Sequence, residues 1–198
     1  MKKRSTRKLK GGTILGKGLS GIVHYPALTC KDNSQPTGEY VSKIVTEKNA
    51  LKEWENTEEL RKLKPEFAIY PEYMCEGVDS KYLLFSKFGG YSLTNYYDYL
   101  EALAYKTKNY EKKQEFSISY FKDIINALKD VKKDIAYLNK HDIYQGDISF
   151  DNILYNENTK KAYLIDFERS KSSSMKNESK LLQYLIDELN DFKSRILK

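Results

Sequence analysis

The strongest constraint on this chain is an apolar stripe over residues 116–139. Phe121, Ile124, Ile125, Leu128, Val131, Ile135 and Leu138 recur at the three-and-four spacing of one helical face. A second stripe, from about residue 177, carries Leu182, Leu185, Leu189, Phe192 and Ile196. Such faces must be buried, and the first half of the chain has a different character. Residues 11–17 and 21–26 read as short extended pieces around glycines, and "EYVSKIVT" (39–46) as a strand. Residues 47–64 lack Gly and Pro and predict one helix that stops before Pro65. "FAIYPEYMCEG" and "KYLLFSKF" are two further strand candidates around the turn "GVDSK".

After "GGYSL" the pattern turns helical: "SLTNYYDYLEALAY", a charged loop near 106–114, and then the long stripe. "NILYN", "ENTK" and "AYLIDF" predict a hairpin before the last helix. The expectation is an α+β chain with two lobes and a cleft, joined near Ser86–Gly90. The first lobe (about 11–88) would hold an antiparallel sheet and one helix, and the second (about 89–198) a reduced helical set. No internal repeat is visible, and "KSSS" (171–174) reads as a short link.

Composition narrows the class. Charged residues make up 31% and hydrophobic residues 40%, which suits a globular chain. No apolar run approaches the roughly 20 residues of a membrane span. The basic start lacks the apolar segment of a secretory signal, so an intracellular, cytoplasmic protein is expected. Cys30 and Cys75 have no zinc-type spacing with His24 or His141 and are expected as two reduced, partly buried thiols. The net charge of +6 equals the contribution of Lys2, Lys3, Arg4, Arg7, Lys8 and Lys10. This cluster reads as a solvated, disordered tail (1–10), with nucleic-acid binding as its weaker alternative.

Four signals carry chemistry. "LGKGLSGIV" (15–23) sets Gly16, Gly18 and Gly21 in a G-x-G-x-x-G pattern between Leu15 and Val23. Glycines let backbone amides approach phosphate oxygens. An extended piece follows rather than a helix, which suits a flap over phosphates better than a dinucleotide fold. Lys43 then lies on a strand, and Glu53, Glu55, Glu58 and Glu59 on the helix after it, where one could turn inward to orient the lysine. Finally, "IYQGDISFDNIL" places Asp147 and Asn152 on one loop, and "LIDFER" ends in Asp166. An Asn and an Asp brought together by a hairpin offer oxygen ligands suited to magnesium. Asp147 could accept a proton from an incoming hydroxyl. Any one of these acids alone is ordinary turn composition; their order is what points to phosphoryl transfer from ATP.

That order resembles the protein kinase superfamily over roughly residues 11–192. The phrases "YVSKIV", "YPEYMC" and "FGGYSL" resemble, more narrowly, divergent serine/threonine kinases of large nucleocytoplasmic DNA viruses. The resemblance implies ATP and Mg2+ as cofactors and a protein substrate. It implies that Gly16, Gly18 and Gly21 cover the phosphates and that Lys43 holds the α- and β-phosphates. Glu53 would pair with Lys43, because Leu60 and Pro65 fall where the family has an apolar residue and the helix end; Glu55 is the runner-up. Phe85 would be the gatekeeper and Ser86–Phe88 the adenine hinge, with Asp147 the catalytic base and Asn152 and Asp166 the metal ligands.

The departures are informative. H-R-D becomes Gln145-Gly146-Asp147, so no arginine is available to receive an activation-loop phosphate. Ser149 stands where a lysine is frequent, which resembles aminoglycoside- and choline-type kinases. D-F-G becomes Asp166-Phe167-Glu168, and only 32 residues follow Asp166. That economy is similar to small atypical kinases of telomere- and tRNA-linked complexes and leaves room for an activating partner. A pseudokinase scaffold is the main alternative.

Overall fold

The computed structural model describes residues 12–18, 21–106, 110–167 and 178–196. The chain is α+β and divides into two units: residues 1–55 with 71–88, and residues 56–70 with 89–198. The basic tail, Glu168 and the "KSSS" link lie outside the described residues.

The first unit is a five-stranded antiparallel sheet in the order β1-β2-β3-β5-β4. Its strands are β1 (Thr13–Lys17), β2 (Ile22–Tyr25), β3 (Tyr40–Thr46), β4 (Tyr73–Glu76) and β5 (Lys81–Lys87). Alternation along β3 and β5 sends side chains to opposite faces. Tyr40, Leu83 and Phe85 pack with Leu28 and Cys30 on one face, while Val45 and Leu84 pack with Ala50 on the other. Ala50 belongs to helix α1 (Glu47–Asn56), which therefore covers the second face.

The helix expected over 47–64 is two helices, α1 and α2 (Glu58–Leu63), interrupted at Thr57. Thr57 is buried, its backbone sits at φ −99, ψ 9, and its hydroxyl receives a bond from Arg61 Nη1 at 2.8 Å. β-branched threonine is a poor helix former, and here its hydroxyl bonds the side chain four residues on. α2 ends at Lys64, whose backbone is left-handed and whose amide donates to Leu60 O, just before Pro65, which cannot continue a helix.

Cys30 and Cys75 are not reduced thiols. They form a disulfide, with sulfurs 2.05 Å apart and Cα atoms 6.0 Å apart. A count of two cysteines says nothing about pairing. The sheet does, because it lays the β2–β3 connection along β4. There Lys31 N donates to Glu76 O at 2.8 Å, and Lys31 Nζ meets Glu76 Oε1 at 2.6 Å.

The second unit contains β6 (Tyr91–Ser92), helices α3 (Leu93–Lys106) and α4 (Tyr110–Lys140), strands β7 (Ile153–Asn156) and β8 (Lys161–Leu164), and helix α5 (Glu178–Ile196). α4 is already helical at Tyr110, where a charged loop was expected, because Glu, Lys and Gln are good helix formers. Residues 107–109 lie outside the described set. The apolar stripe is the core: Phe121, Ile124, Leu128, Val131, Ile135 and Leu138 are buried with Leu182, Leu189 and Phe192 of α5. Leu60 and Ala68 complete that core from the segment before β4. Ala68 bridges Leu164 in parallel, with Leu164 N donating to Phe67 O and Ile69 N to Leu164 O, both at 2.8 Å.

Candidate functional site

In the first unit, β1 and β2 pair antiparallel, so the G-x-G-x-x-G stretch leads from one strand to the next and opens no helix. Gly18 N donates to Gly21 O at 3.0 Å across its base, and Gly16 and Gly18 are exposed. The register slips between Ile14 and Gly16, which makes Leu15 the extra residue of a bulge. A Cβ at Gly21 would collide with Ile44 O on β3, so this position requires glycine on close approach alone. Val23 lies directly opposite Lys43 in the ladder and shares its face.

Lys43 Nζ pairs with Glu53 Oε2 at 2.8 Å, and their side chains are only 17% and 9% exposed. Glu55 is exposed, as are Glu58 and Glu59, which meet Lys62 at 3.0 and 2.8 Å. α1 turns Glu53 to the sheet together with Ala50, as the three-residue spacing of a helix face dictates. Burying both charges is tolerable only because they meet.

Phe85, expected as the gatekeeper, faces away from Lys43 in the strand register. Lys43 faces Leu84 across the β3–β5 ladder, and Phe85 faces Ser42. Phe85 is buried with Leu28, Cys30, Tyr40 and Leu83, on the face opposite Lys43. A one-residue offset on a strand exchanges faces, so Leu84 is the residue beside Lys43, with Ser86 two positions on. The Phe88 amide donates to Glu39 O at 2.9 Å, and its ring stacks on Tyr25 with centroids 4.4 Å apart. That amide is engaged by protein and is a poor candidate for meeting adenine.

In the second unit, one hydrogen-bonded network joins the loop residues. Asn152 Nδ2 donates to Asp147 O at 2.9 Å and to Asp147 Oδ2 at 3.2 Å. Asp147 is exposed. Ile165 N donates to Asn152 O at 3.0 Å, which ties the start of the β7–β8 hairpin to the residue before Asp166. Asp166 has φ 61, a left-handed backbone that few non-glycine residues adopt. Such strain persists only where the surroundings enforce it, and it gathers at functional sites.

Gln145 supplies much of that enforcement. It is 1% exposed, and its Nε2 donates to Ile165 O at 2.8 Å and to Asp166 O at 3.3 Å. Its Oε1 accepts from Asp147 N at 2.6 Å. One neutral side chain thus fastens the Asp147 backbone to the Asp166 backbone. The sequence offered Gln145 as a departure that could still donate a hydrogen bond and keep the loop in shape; its burial and its two-sided bonding give it this role.

Among the described residues, no group of three or more His, Cys, Asp or Glu could hold a metal by itself. Magnesium does not need one, since it takes one or two carboxylates and completes its shell with waters and phosphate oxygens. With Nδ2 committed to Asp147, Asn152 keeps Oδ1 as its remaining acceptor, and Asp166 supplies a carboxylate. That hard-oxygen donor set fits magnesium in company with a nucleotide. No helix among the described residues is long and apolar enough to cross a membrane. The sequence matches no family model and no curated protein.

Proposed function

We propose that the chain is an ATP-dependent phosphotransferase of the protein kinase type, acting on serine and threonine hydroxyls of a protein substrate. The observation that carries this reading is the network joining Gln145, Asp147, Asn152 and Asp166. The buried Gln145 amide ties Asp147 to the Asp166 backbone nineteen positions on, and Asn152 bonds Asp147 directly, which suits a proton acceptor beside two oxygen ligands. The Lys43–Glu53 pair supports it independently.

In the reaction, the substrate hydroxyl oxygen forms a bond to the γ-phosphorus. The bond from that phosphorus to the β–γ bridging oxygen breaks, and its electrons leave with ADP. Asp147 takes the hydroxyl proton and aims the oxygen, which is where positioning contributes most. Lys43 sets a cation against the α- and β-phosphates, with Glu53 fixing its direction. Asn152 and Asp166 would hold magnesium, whose charge would offset that of the phosphates. Gly16, Gly18 and Gly21 offer backbone amides to the same phosphates.

The test is transfer of labelled phosphate from Mg–ATP to a generic basic protein. Wild type should label the acceptor, and Asp147→Ala and Asp166→Ala should each lower the rate by at least about 100-fold. Labelling that persists in both variants contradicts the reading. Nucleotide that raises the melting temperature without any transfer would instead favour a non-catalytic nucleotide-binding scaffold.

A further inference from the structure

We propose that the outer face of α4 is a binding surface for the phosphate backbone of a single-stranded nucleic acid. The surface uses none of the phosphotransferase residues and does not depend on that reading.

The buried stripe of α4 has an exposed counterpart. Lys122, Asn126, Lys129, Lys133, Ala136 and Lys140 follow one another at alternating steps of four and three residues, and all are exposed. Steps of that size keep side chains on one helical face. The line holds four cations and no acid. The acids of the same stretch lie on its flank. Asp123 meets Lys160 at 3.4 Å, and Asp134 Oδ2 accepts from Phe67 N at 3.0 Å. Asp130 pairs with Lys133 at 2.8 Å, but an exposed pair of this kind contributes little, so a phosphate can take the place of the carboxylate. Among the described residues, Lys122, Lys129 and Lys140 form no ion pair; Lys129 Nζ reaches only the neutral Asn126, at 3.5 Å. Lys129 and Lys133 are like charges four positions apart, an arrangement that costs a helix stability. A bound polyanion reverses that cost.

The surroundings of the line select its occupant. From Lys122 to Lys140 it runs about 27 Å along the helix axis, long enough for several consecutive phosphates. One side of α4 meets α5, where Lys132 Nζ donates to Gln183 Oε1 at 3.0 Å. The other meets the β7–β8 turn, through Lys160 at Asp123. With both flanks engaged, the helix cannot sink into a duplex groove, whereas a flexible single strand can lie along the open face. Beside the line, Tyr137 is 41% exposed, with His141 edge-on to its ring at 4.8 Å. An exposed ring beside a cationic track is a platform on which a base can stack. A membrane surface would instead require apolar side chains to insert, and the line offers only Ala136.

The experiment follows binding of the full chain to a labelled single strand of about 15 thymidines, by fluorescence anisotropy over a range of salt concentrations. Four phosphate contacts predict that log K falls against log salt with a slope of about −3. One variant carries Lys122→Gln, Lys129→Gln, Lys133→Gln and Lys140→Gln. A control carries Lys2→Gln, Lys3→Gln, Arg4→Gln and Lys8→Gln, so each lowers the net charge of +6 by four. The α4 variant should bind at least about ten-fold more weakly and lose most of the salt slope, while the control keeps it. Glutamine nearly matches lysine as a helix former, so circular dichroism should not change. Should the α4 variant not fold, Lys122→Gln with Lys140→Gln, and Lys129→Gln with Lys133→Gln, are read by the same criteria. Wild-type binding by the α4 variant overturns the proposal, as do equal losses in the two variants, which would trace binding to net charge alone. Failure of wild type to bind the strand also overturns it. So does competition by polyglutamate as strong as that of unlabelled thymidine strands, which would make the occupant an acidic protein segment.

Discussion

At the scale of single residues, burial separates the carboxylates that matter from those that merely solvate a helix. Glu53 and Glu55 are two positions apart on α1, but only Glu53 is buried and paired with Lys43. Removing one partner of a buried pair leaves an uncompensated charge, so Glu53→Ala should cost about 3 kcal/mol. Glu55→Ala should stay within about 0.5 kcal/mol. Urea unfolding of both variants checks this, and equal costs would mean the pair is not buried in solution. Asp134 offers a pH-dependent case. Burial raises its pKa above 3.8, the repulsion of Glu66 adds to that, and the bond from Phe67 N opposes it. A carboxyl with a raised folded-state value favours the fold when protonated, and that contribution fades as pH rises from 3.8 through the folded value. Asp134→Asn keeps the acceptor for Phe67 and removes the charge. Its melting temperature relative to wild type should therefore climb from acid to neutral pH; a flat difference would contradict the burial argument.

At the scale of elements, most of the fold was legible, because the signals were periodic. The α4 stripe and the β7–β8 hairpin fall where apolar spacing places them. What periodicity does not carry is strand register. The family resemblance implies Phe85 as a gatekeeper, but only the pairing of Lys43 with Leu84 reveals that Phe85 faces the other way. The Thr57 interruption was equally hidden, since the residue is buried and burial of a single polar side chain leaves no periodic signal. The site's loop residues, and Gln145 as a possible donor among them, were visible as residue types in order, whereas the burial of Gln145 and Glu178 was not, because burial is a tertiary fact. The disulfide too is a tertiary fact, closing a loop of 45 residues. In the chain-entropy picture a loop of that size is worth about 4 kcal/mol. Reduction, or Cys30→Ser with Cys75→Ser, should lower the unfolding free energy of the sheet unit by about that amount. Denaturant titration with and without reductant measures it, and a change below about 1 kcal/mol would mean that the reduced loop remains ordered by Lys31 and Glu76.

At the scale of the whole molecule, the chain order and the packing order differ. The first unit is built from two stretches, 1–55 and 71–88, while 56–70 packs with the helical unit that resumes at Gly89. Leu60 is fully buried and Ala68 nearly so within the core built on Phe121, Leu128 and Leu164. Glu66 reaches Lys161 at 2.7 Å, and Phe67 N is bonded to Asp134 of α4. A boundary drawn at the change of periodicity near residue 89 would thus strip the helical unit of part of its core and of one edge of its sheet. Removing a fully buried leucine alone costs about 2–5 kcal/mol, and deleting the segment also removes the backbone bonds to Leu164. The fragment 56–198 should therefore unfold in one cooperative thermal transition, while 89–198 should melt broadly and at lower temperature. Circular dichroism on both fragments distinguishes the cases. A sharp, equally stable transition for 89–198 would show that residues 56–70 are an accessory to that core rather than part of it.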